Sequence, residues 1–482
     1  MIEVLSVASE AFPLVKTGGL ADVAGALPGA VAAHDVSMRT LIPGYPQVMA
    51  GFDRARQVAQ FDDLFGGPAV LLAARAGELD VIVINAPHLY GRVGGLYTDE
   101  SGADWPDNWR RFAALGWVAA QLAGGLIEGY RPEIVHAHDW QGAMAAPYVA
   151  FTPGLSTRVV LTVHNLAFQG HFGADIFPYL RLPAEAFAVE GVEYYGGVGF
   201  LKGGLACAHA VTTVSPTYAK EVRTPEFGMG LEGLLAARAH DLYGIINGID
   251  TRAWNPASDP ALSATYTSAN PRRRALNKAA LEEAFGLAPG NGPLFGIVSR
   301  LTWQKGIDLA AAAVDDLVAS GGRLAVLGTG DAELEAAMEA AAQRHAGAVG
   351  FIRGYSEPLS HLMQGGADAI LVPSRFEPCG LTQLYGLRYG AVPVVARVGG
   401  LADTIIDANA AALRAGVATG IQFNPVDATS FSDAIQRAIA LYRQPEVWSR
   451  MQRRGMKTDV SWASSAGEYA ALYTTLSEGT AL

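Results

Sequence analysis

Ser299-Arg300-Leu301-Thr302-Trp303-Gln304-Lys305-Gly306 is the stretch on which the reading of this chain turns. It follows an apolar run over 294–298 and precedes an Ala-rich run beginning near Leu309. A strand, a short loop with two cations and then a helix is how an α/β protein builds an anion site. The loop sits at the carboxyl end of a strand, where ligands collect in open parallel sheets. Arg300 offers a planar fork and Lys305 a compact point charge, and both can converge on a phosphate. Taken alone, such a pair is more often a solvated basic loop, so the weight of the reading comes from the rest of the chain.

Working outward, short β-branched apolar runs alternate with Ala/Leu-rich helical stretches. The first half predicts strands over 2–8, 36–42, 80–85, 134–137, 159–163, 211–214 and 242–246. The second half predicts them over 294–298, 324–327, 349–352, 369–372, 392–395 and 421–423. Continuous apolar strands separated by helices indicate parallel sheets covered on both faces. At 482 residues the chain exceeds what one core organises, so two Rossmann-like domains are expected. The boundary is best placed around 247–255. There Asn247-Gly248-Ile249-Asp250 reads as a turn, and Trp254-Asn255-Pro256 cannot continue a helix.

Composition excludes several classes. Half the residues are hydrophobic and 17% are charged, which describes a buried globular protein. The net charge of −11 argues against nucleic acid as the main partner, because duplex binding needs a positive footprint. Any phosphate site must then be a positive island in a negative field. Cys207 and Cys379 are the only cysteines, so no disulfide framework or Cys-rich metal site is readable. No uncharged apolar run reaches membrane-spanning length, and the start shows no secretory leader. The expectation is a soluble cytoplasmic protein with no membrane partner; nothing bears on its oligomeric state.

Six further segments carry chemistry, each following an expected strand. Lys16-Thr17-Gly18-Gly19-Leu20 brings a close backbone approach to a helix N-terminus that favours anions, without the spacing of a P-loop or a dinucleotide fingerprint. His136-Ala137-His138-Asp139-Trp140 and His164-Asn165-Leu166-Ala167-Phe168-Gln169-Gly170 place histidines at two strand ends. A metal held by His136, His138 and Asp139 is the less favoured alternative to hydrogen-bonded core histidines. Pro373-Ser374-Arg375-Phe376-Glu377-Pro378-Cys379-Gly380-Leu381-Thr382 puts a carboxylate suited to sugar hydroxyls beside helix-start amides suited to phosphate. Cys379 has no pairing pattern that would activate it as a nucleophile. Gly354-Tyr355 offers an aromatic that can stack on a base or sit at a rim, and Val398-Gly399-Gly400-Leu401 repeats the Gly-Gly turn. No Asp-x-Asp triplet is present to hold a metal on a diphosphate.

In this order these segments resemble the bacterial glycogen synthase and plant starch synthase family, over essentially the whole chain. The resemblance implies the GT-B fold: two Rossmann-like domains with parallel sheets facing across a deep cleft, and a C-terminal helix crossing back to the first domain. The expected domains are 1–247 on the acceptor side, 248–460 on the nucleotide-sugar side, and 461–482 with that helix near 463–476. The implied reaction moves glucose from ADP-glucose to the non-reducing 4-OH of an α-1,4-glucan such as glycogen or a malto-oligosaccharide. Configuration is retained and neither metal nor cofactor is needed. Carried over by motif, Arg300 and Lys305 resemble the diphosphate clamp. Lys16, with Gly18 and Gly19, resembles the first domain's phosphate contact, and Glu377 the holder of the donor sugar's hydroxyls. The amides of Cys379, Gly380, Leu381 and Thr382 would line sugar and phosphate. His164 would hold the sugar 6-OH and offer its carbonyl to the anomeric carbon. Asp139 would lie near the transferred glucose or the acceptor. Tyr355, after Gly354, resembles the adenine-stacking residue.

Two positions depart from related patterns. Tyr385 stands where related retaining families carry a second Glu, a change the synthases tolerate. Gln141 follows Asp139-Trp140 where His is common, which bears on a glucan contact. The same fold using UDP-glucose or another nucleotide sugar is the alternative. A catalytically idle glucan-binding protein is disfavoured, because Lys16, His164, Arg300, Lys305 and Glu377 are all present. A dehydrogenase lacks its glycine fingerprint.

Overall fold

The structure is a computed structural model and describes residues 1–52 and 54–479. The chain divides into two compact units. One is Met1–Asn247 joined by the segment from Trp462 onward; the other is Gly248–Ser461. Residues 480–482, within the expected last segment, lie outside the described residues.

In the first unit the apolar runs become β1 (Ile2–Val7), β2 (Val36–Pro43), β3 (Arg56–Phe61), β4 (Ala69–Ala76), β5 (Leu79–Asn85), β6 (Ile134–His138) and β7 (Arg158–Val163). Three short strands follow, β8 (His171–Phe172), β9 (Glu193–Tyr194) and β10 (Gly197–Gly199). Then come β11 (Ala210–Thr213) and β12 (Leu242–Gly244). The large sheet runs β12-β11-β7-β6-β1-β2-β5-β4-β3, and β8-β10-β9 form a small antiparallel sheet. From β12 to β5 all pairs are parallel, as the unbroken apolar runs require.

The expectation of parallel strands alone is corrected at one edge. β4 pairs antiparallel with both β5 and β3. Ala76 lies opposite Leu79, so only Gly77-Glu78 joins β4 to β5, and a two-residue loop can connect only antiparallel strands. β3 escaped the sequence reading because Arg56, Gln57 and Gln60 break its apolar run; β4, apolar but for Arg75, was passed over.

The helix Trp462–Ser477 packs onto this unit. Ala466, Tyr469, Tyr473 and Leu476 join Val23, Leu27 and Val31 of the helix Gly19–Val31 in one buried cluster, with Val4 and Ile134 from the sheet.

The second unit holds β13 (Leu294–Val298), β14 (Arg323–Gly328), β15 (Val349–Arg353), β16 (Ala369–Val372), β17 (Val392–Ala396) and β18 (Ile421–Phe423). All pairs are parallel, in the order β15-β14-β13-β16-β17-β18. Its core runs from Leu294, Phe295 and Ile297 through Val326, Ile370 and Val394 to Phe431 and Ile435.

Both parallel arrays reverse direction beside their first strand. β1 lies between β2 and β6, and β13 lies between β14 and β16. Loops diverge there and leave a crevice at the carboxyl ends, the usual ligand position in doubly wound sheets. The loops after β1 and β6 carry Glu10 and Asp139, and those after β13 and β16 carry Lys305 and Glu377.

Gly306 closes the β13 loop with φ of 68°, and a Cβ there would run into the Pro373 carbonyl. Gly306→Ala is therefore expected to destabilise the second unit by about 2 kcal/mol, from strain plus displacement of one loop. Denaturant unfolding that left the midpoint unchanged would refute this packing.

Candidate active site

In the second unit, Lys305 Nζ stands 2.6 Å from Glu377 Oε2. The buried Ser374 hydroxyl donates to the same oxygen at 2.8 Å. Both charged side chains are largely buried, so the pair is screened little by solvent. Neighbouring backbone holds it in place. Arg375 N donates to Gln304 O at 2.8 Å, and Gln304 Nε2 donates to Phe376 O at 3.2 Å. The Arg375 guanidinium forks onto Asp308 with two contacts of 2.7 Å and donates to Trp303 O at 2.6 Å. It also lies 4.3 Å from the centre of the Trp303 ring. This guanidinium holds the Asp308 carboxyl below its usual range, chiefly through its hydrogen bonds.

Gly399 and Gly400 belong to the same frame. Gly400 N donates to the carbonyls of Glu377 and Pro378 at 3.1 and 3.0 Å. A Cβ on Gly399 would collide with Glu377 O and one on Gly400 with Cys379 O. The second Gly-Gly turn therefore seats the Glu377 loop. Gln383 Nε2 donates to Cys379 O and Gly380 O at 3.1 and 2.8 Å, so the segment Cys379–Thr382 meets the helix Thr382–Tyr389 in one geometry.

Arg300 is exposed, and among the described residues its guanidinium has no ion pair or hydrogen bond. Arg300 and Lys305 thus differ: one cation is free, the other is engaged by a carboxylate. Tyr355 stands 69% exposed after β15 behind Gly354, on the far side of β14 from β13. Between them sits a loop the sequence reading missed. Thr329 Oγ1 and Gly330 N donate to Glu335 Oε1 at 2.6 and 2.9 Å, and Arg353 pairs with Glu335 at 3.1 Å. Its signal was present: Gly328-Thr329-Gly330-Asp331 follows a strand.

In the first unit, the Lys16–Gly19 turn closes on a residue that sequence reasoning passed over. The buried Glu10 carboxylate accepts the amides of Thr17 and Gly18, the latter at 3.3 Å, and the Thr17 hydroxyl at 2.9 Å. Tyr97 OH adds a bond at 3.1 Å. Amides expected to face phosphate are thus met by an internal anion. Lys16 itself is half exposed and pairs with Asp22 at 2.7 Å.

Asp139 has a positive φ of 50°, tolerated by a short polar side chain. Its Oδ1 accepts the His164 amide at 2.6 Å and the Asn165 amide at 3.4 Å, joining the β6 and β7 loops. Burial pushes its carboxyl up to about 7 against the pull of those amides.

Behind it the histidines form a row. Tyr473 OH meets His136 Nδ1 at 2.7 Å, and His136 Nε2 meets Thr162 Oγ1 at 2.6 Å. His138 Nε2 meets Ser6 Oγ at 3.2 Å, and its Nδ1 meets His164 Nε2 at 3.1 Å. Every ring nitrogen of His136 and His138 is thereby engaged. Among the described residues no group of three His, Cys, Asp or Glu could hold a metal.

Of the two departures, Tyr385 stacks on Trp254 at 3.6 Å, which stacks on His361 at 3.7 Å. Gln141 is buried rather than presented to a polymer. Neither Cys207 nor Cys379 is in a disulfide.

The family description "Starch synthase catalytic domain" matches residues 3–237, and "Glycosyl transferases group 1" matches 281–455. The chain is 60% identical to a glycogen synthase of Mesorhizobium japonicum over 472 residues, 98% of each chain. It is also 60% identical to a glycogen synthase of Novosphingobium aromaticivorans over 478 residues, 98% of this chain and 99% of that one. The catalytic domain of starch synthase IV from Arabidopsis thaliana, solved with ADP and acarbose, superposes with a TM-score of 0.87 at 32% identity, covering 99% of both chains. A sucrose-phosphate synthase from Thermosynechococcus elongatus reaches 0.58 at 18% identity over both whole chains, a likeness of fold alone.

The histidine row makes stability pH-dependent. Burial lowers His136 to about 3 and His138 well below its usual value, so the unfolded chain takes up protons first as pH falls. Their contribution is complete above about pH 6.5 and is lost toward pH 3; raised Asp139 has the opposite sign, losing stability as pH rises through about 7. Relative to a His136→Asn variant, the parent should lose about 2 kcal/mol between pH 7 and pH 5. Equal losses in denaturant unfolding would show that His136 is not held neutral.

Proposed function

Because the chain belongs to the glycogen synthase and starch synthase family of glycosyltransferases, we propose that it elongates an α-1,4-glucan with glucose from ADP-glucose, retaining the anomeric configuration. The observation that carries this reading is the Lys305–Glu377–Ser374 group at a topological switch point, on a loop that also carries the exposed Arg300. The ADP in the Arabidopsis relative favours the adenosine donor over UDP-glucose.

In this reading Arg300 receives the diphosphate and Lys305 shares its charge between Glu377 and the leaving group. A cation 4 Å from a phosphate contributes up to about 4 kcal/mol at an effective dielectric near 20. That contribution grows as negative charge develops on departure, which is what accelerates the step. Glu377, pinned through Oε2, keeps Oε1 for a sugar hydroxyl. The Cys379–Thr382 amides line sugar and phosphate, and Tyr355 covers the base. His164 holds the 6-OH and turns its carbonyl to the anomeric carbon. Asp139 fixes that loop through the His164 amide and supplies negative charge beside it. Lys16 is assigned to the phosphates by family resemblance. The departing phosphate takes the acceptor proton, so no separate nucleophile–base pair is required. Arg300 and Lys305 supply the charge that a metal would, so the reaction is assigned as metal-independent.

The deciding assay is nucleotide release from ADP-glucose and UDP-glucose, with and without a malto-oligosaccharide, in chelator. The expected result is primer-dependent ADP release with chain lengthening. Loss of activity in chelator, restored by a divalent ion, would overturn the metal-free assignment. Lys305→Ala leaves the largely buried Glu377 carboxylate with the Ser374 hydroxyl but without its cation, so turnover should fall at least a hundredfold. Parent-like rates in Lys305→Ala or Glu377→Ala would break these roles. Finally, kcat/KM should rise with pH through about 7 as Asp139 ionises, and Asp139→Asn should lack that limb.

A further inference from the structure

Tyr195 is strained and exposed at once. Tyr194 pairs with Gly197, so β9 and β10 are joined by Tyr195-Gly196 alone. Both loop residues have positive φ, 46° and 77°, the requirement of the tightest hairpin turn. Asn, Asp or Gly fills the first of these positions easily, and a bulky aromatic there is an outlier. Burial does not compensate, since Tyr195 is 79% exposed. Strain retained at an exposed side chain points to a ligand.

The surroundings indicate which ligand. The rings of Tyr194 and Tyr195 meet edge to face at 4.7 Å. A Cβ on Gly230 would stand 2.9 Å from the Tyr194 hydroxyl and 3.9 Å from that of Tyr195, so the two hydroxyls converge. Next to it Met229, 38% exposed, has a second positive φ of 50°. Gln169 Nε2 donates to Met229 O at 3.0 Å, and His171 Nε2 lies 3.0 Å from Tyr194 O. Glu193 and Glu232 accept the Gly196 and Gly230 amides at 2.7 and 2.9 Å, and neither is in an ion pair among the described residues. One exposed ring and one partly buried ring, flanked by hydroxyls, an amide and two carboxylates, suit a neutral polyol with apolar CH faces. The carboxylates and the net charge of −11 repel a phosphorylated polymer. The platform is continuous in sequence with the His164–Gly170 loop, which runs directly into β8 of the same small sheet.

We propose that Tyr195, with Tyr194 and Met229, forms a platform for an α-1,4-glucan chain, separate from the residues assigned to the transferred glucose. The proposal rests on the glucan reading above.

Tyr195→Gly removes the ring and relieves the backbone strain, so its Tm should not fall. Retardation in gels containing glycogen, together with KM for glycogen, should show about five- to tenfold weaker binding, the size expected for one aromatic contact. Tyr195→Phe should stay within about threefold of the parent, because the ring remains. Tyr179→Ala, which removes another exposed tyrosine of this unit, should bind as the parent does. Unchanged retardation of Tyr195→Gly, or an equal loss in Tyr179→Ala, would overturn the platform. If the parent released no nucleotide with any glucan, the reading of the reaction would fall, whereas retardation lost only in Tyr195→Gly would still support the platform.

Discussion

The Lys305–Glu377 contact depends on backbone touching backbone with no side chain between. Gly306 lies against the Pro373 carbonyl and Gly399 against that of Glu377, at distances a Cβ cannot share. These contacts bring the loops after β13, β16 and β17 into one frame, and the Arg375–Asp308 fork with its stack on Trp303 locks it. Only then does a largely buried cation fall 2.6 Å from a largely buried carboxylate. A pair like this adds little to stability by itself, since desolvation cancels much of the attraction. Its value is positional: it presents charge in a fixed place on the loop that also carries Arg300.

The first unit reaches the same end by a different route. There the buried polar groups are chained rather than stapled. Tyr473 of the last helix reaches His136, whose other nitrogen reaches Thr162, and the adjacent His138 links Ser6 to His164. The last helix is therefore tied to the core through a polar group that needs its partner, as well as through apolar packing. Glu10 plays the corresponding part at the Lys16 turn, where it satisfies amides that would otherwise be free.

Much of this was legible. The alternation of apolar and Ala-rich runs shows strands and helices without any partner being known, because period and composition are local properties. The chemical segments could be found because each follows such a strand. Glu10 and the Gly328–Asp331 loop also follow strands but carry no unusual spacing, so they were passed over. β3 was missed because its outer-edge position admits polar residues that hide the pattern, and β4 was passed over although only Arg75 interrupts its apolar run.

What the amino-acid sequence determined alone is most of the succession of parallel strands and helices and the residue types at each strand end. What only the tertiary structure decided is which of those residues touch. Arg300 and Lys305 look alike in the chain, yet one is free and the other is engaged by Glu377, 72 positions away. Lys16 and its amides look available, yet Asp22 and Glu10 meet them. Electrostatic and hydrogen-bond partners are chosen by distances of a few ångströms across strand order. That order follows from packing in three dimensions and is written in no local pattern of residues.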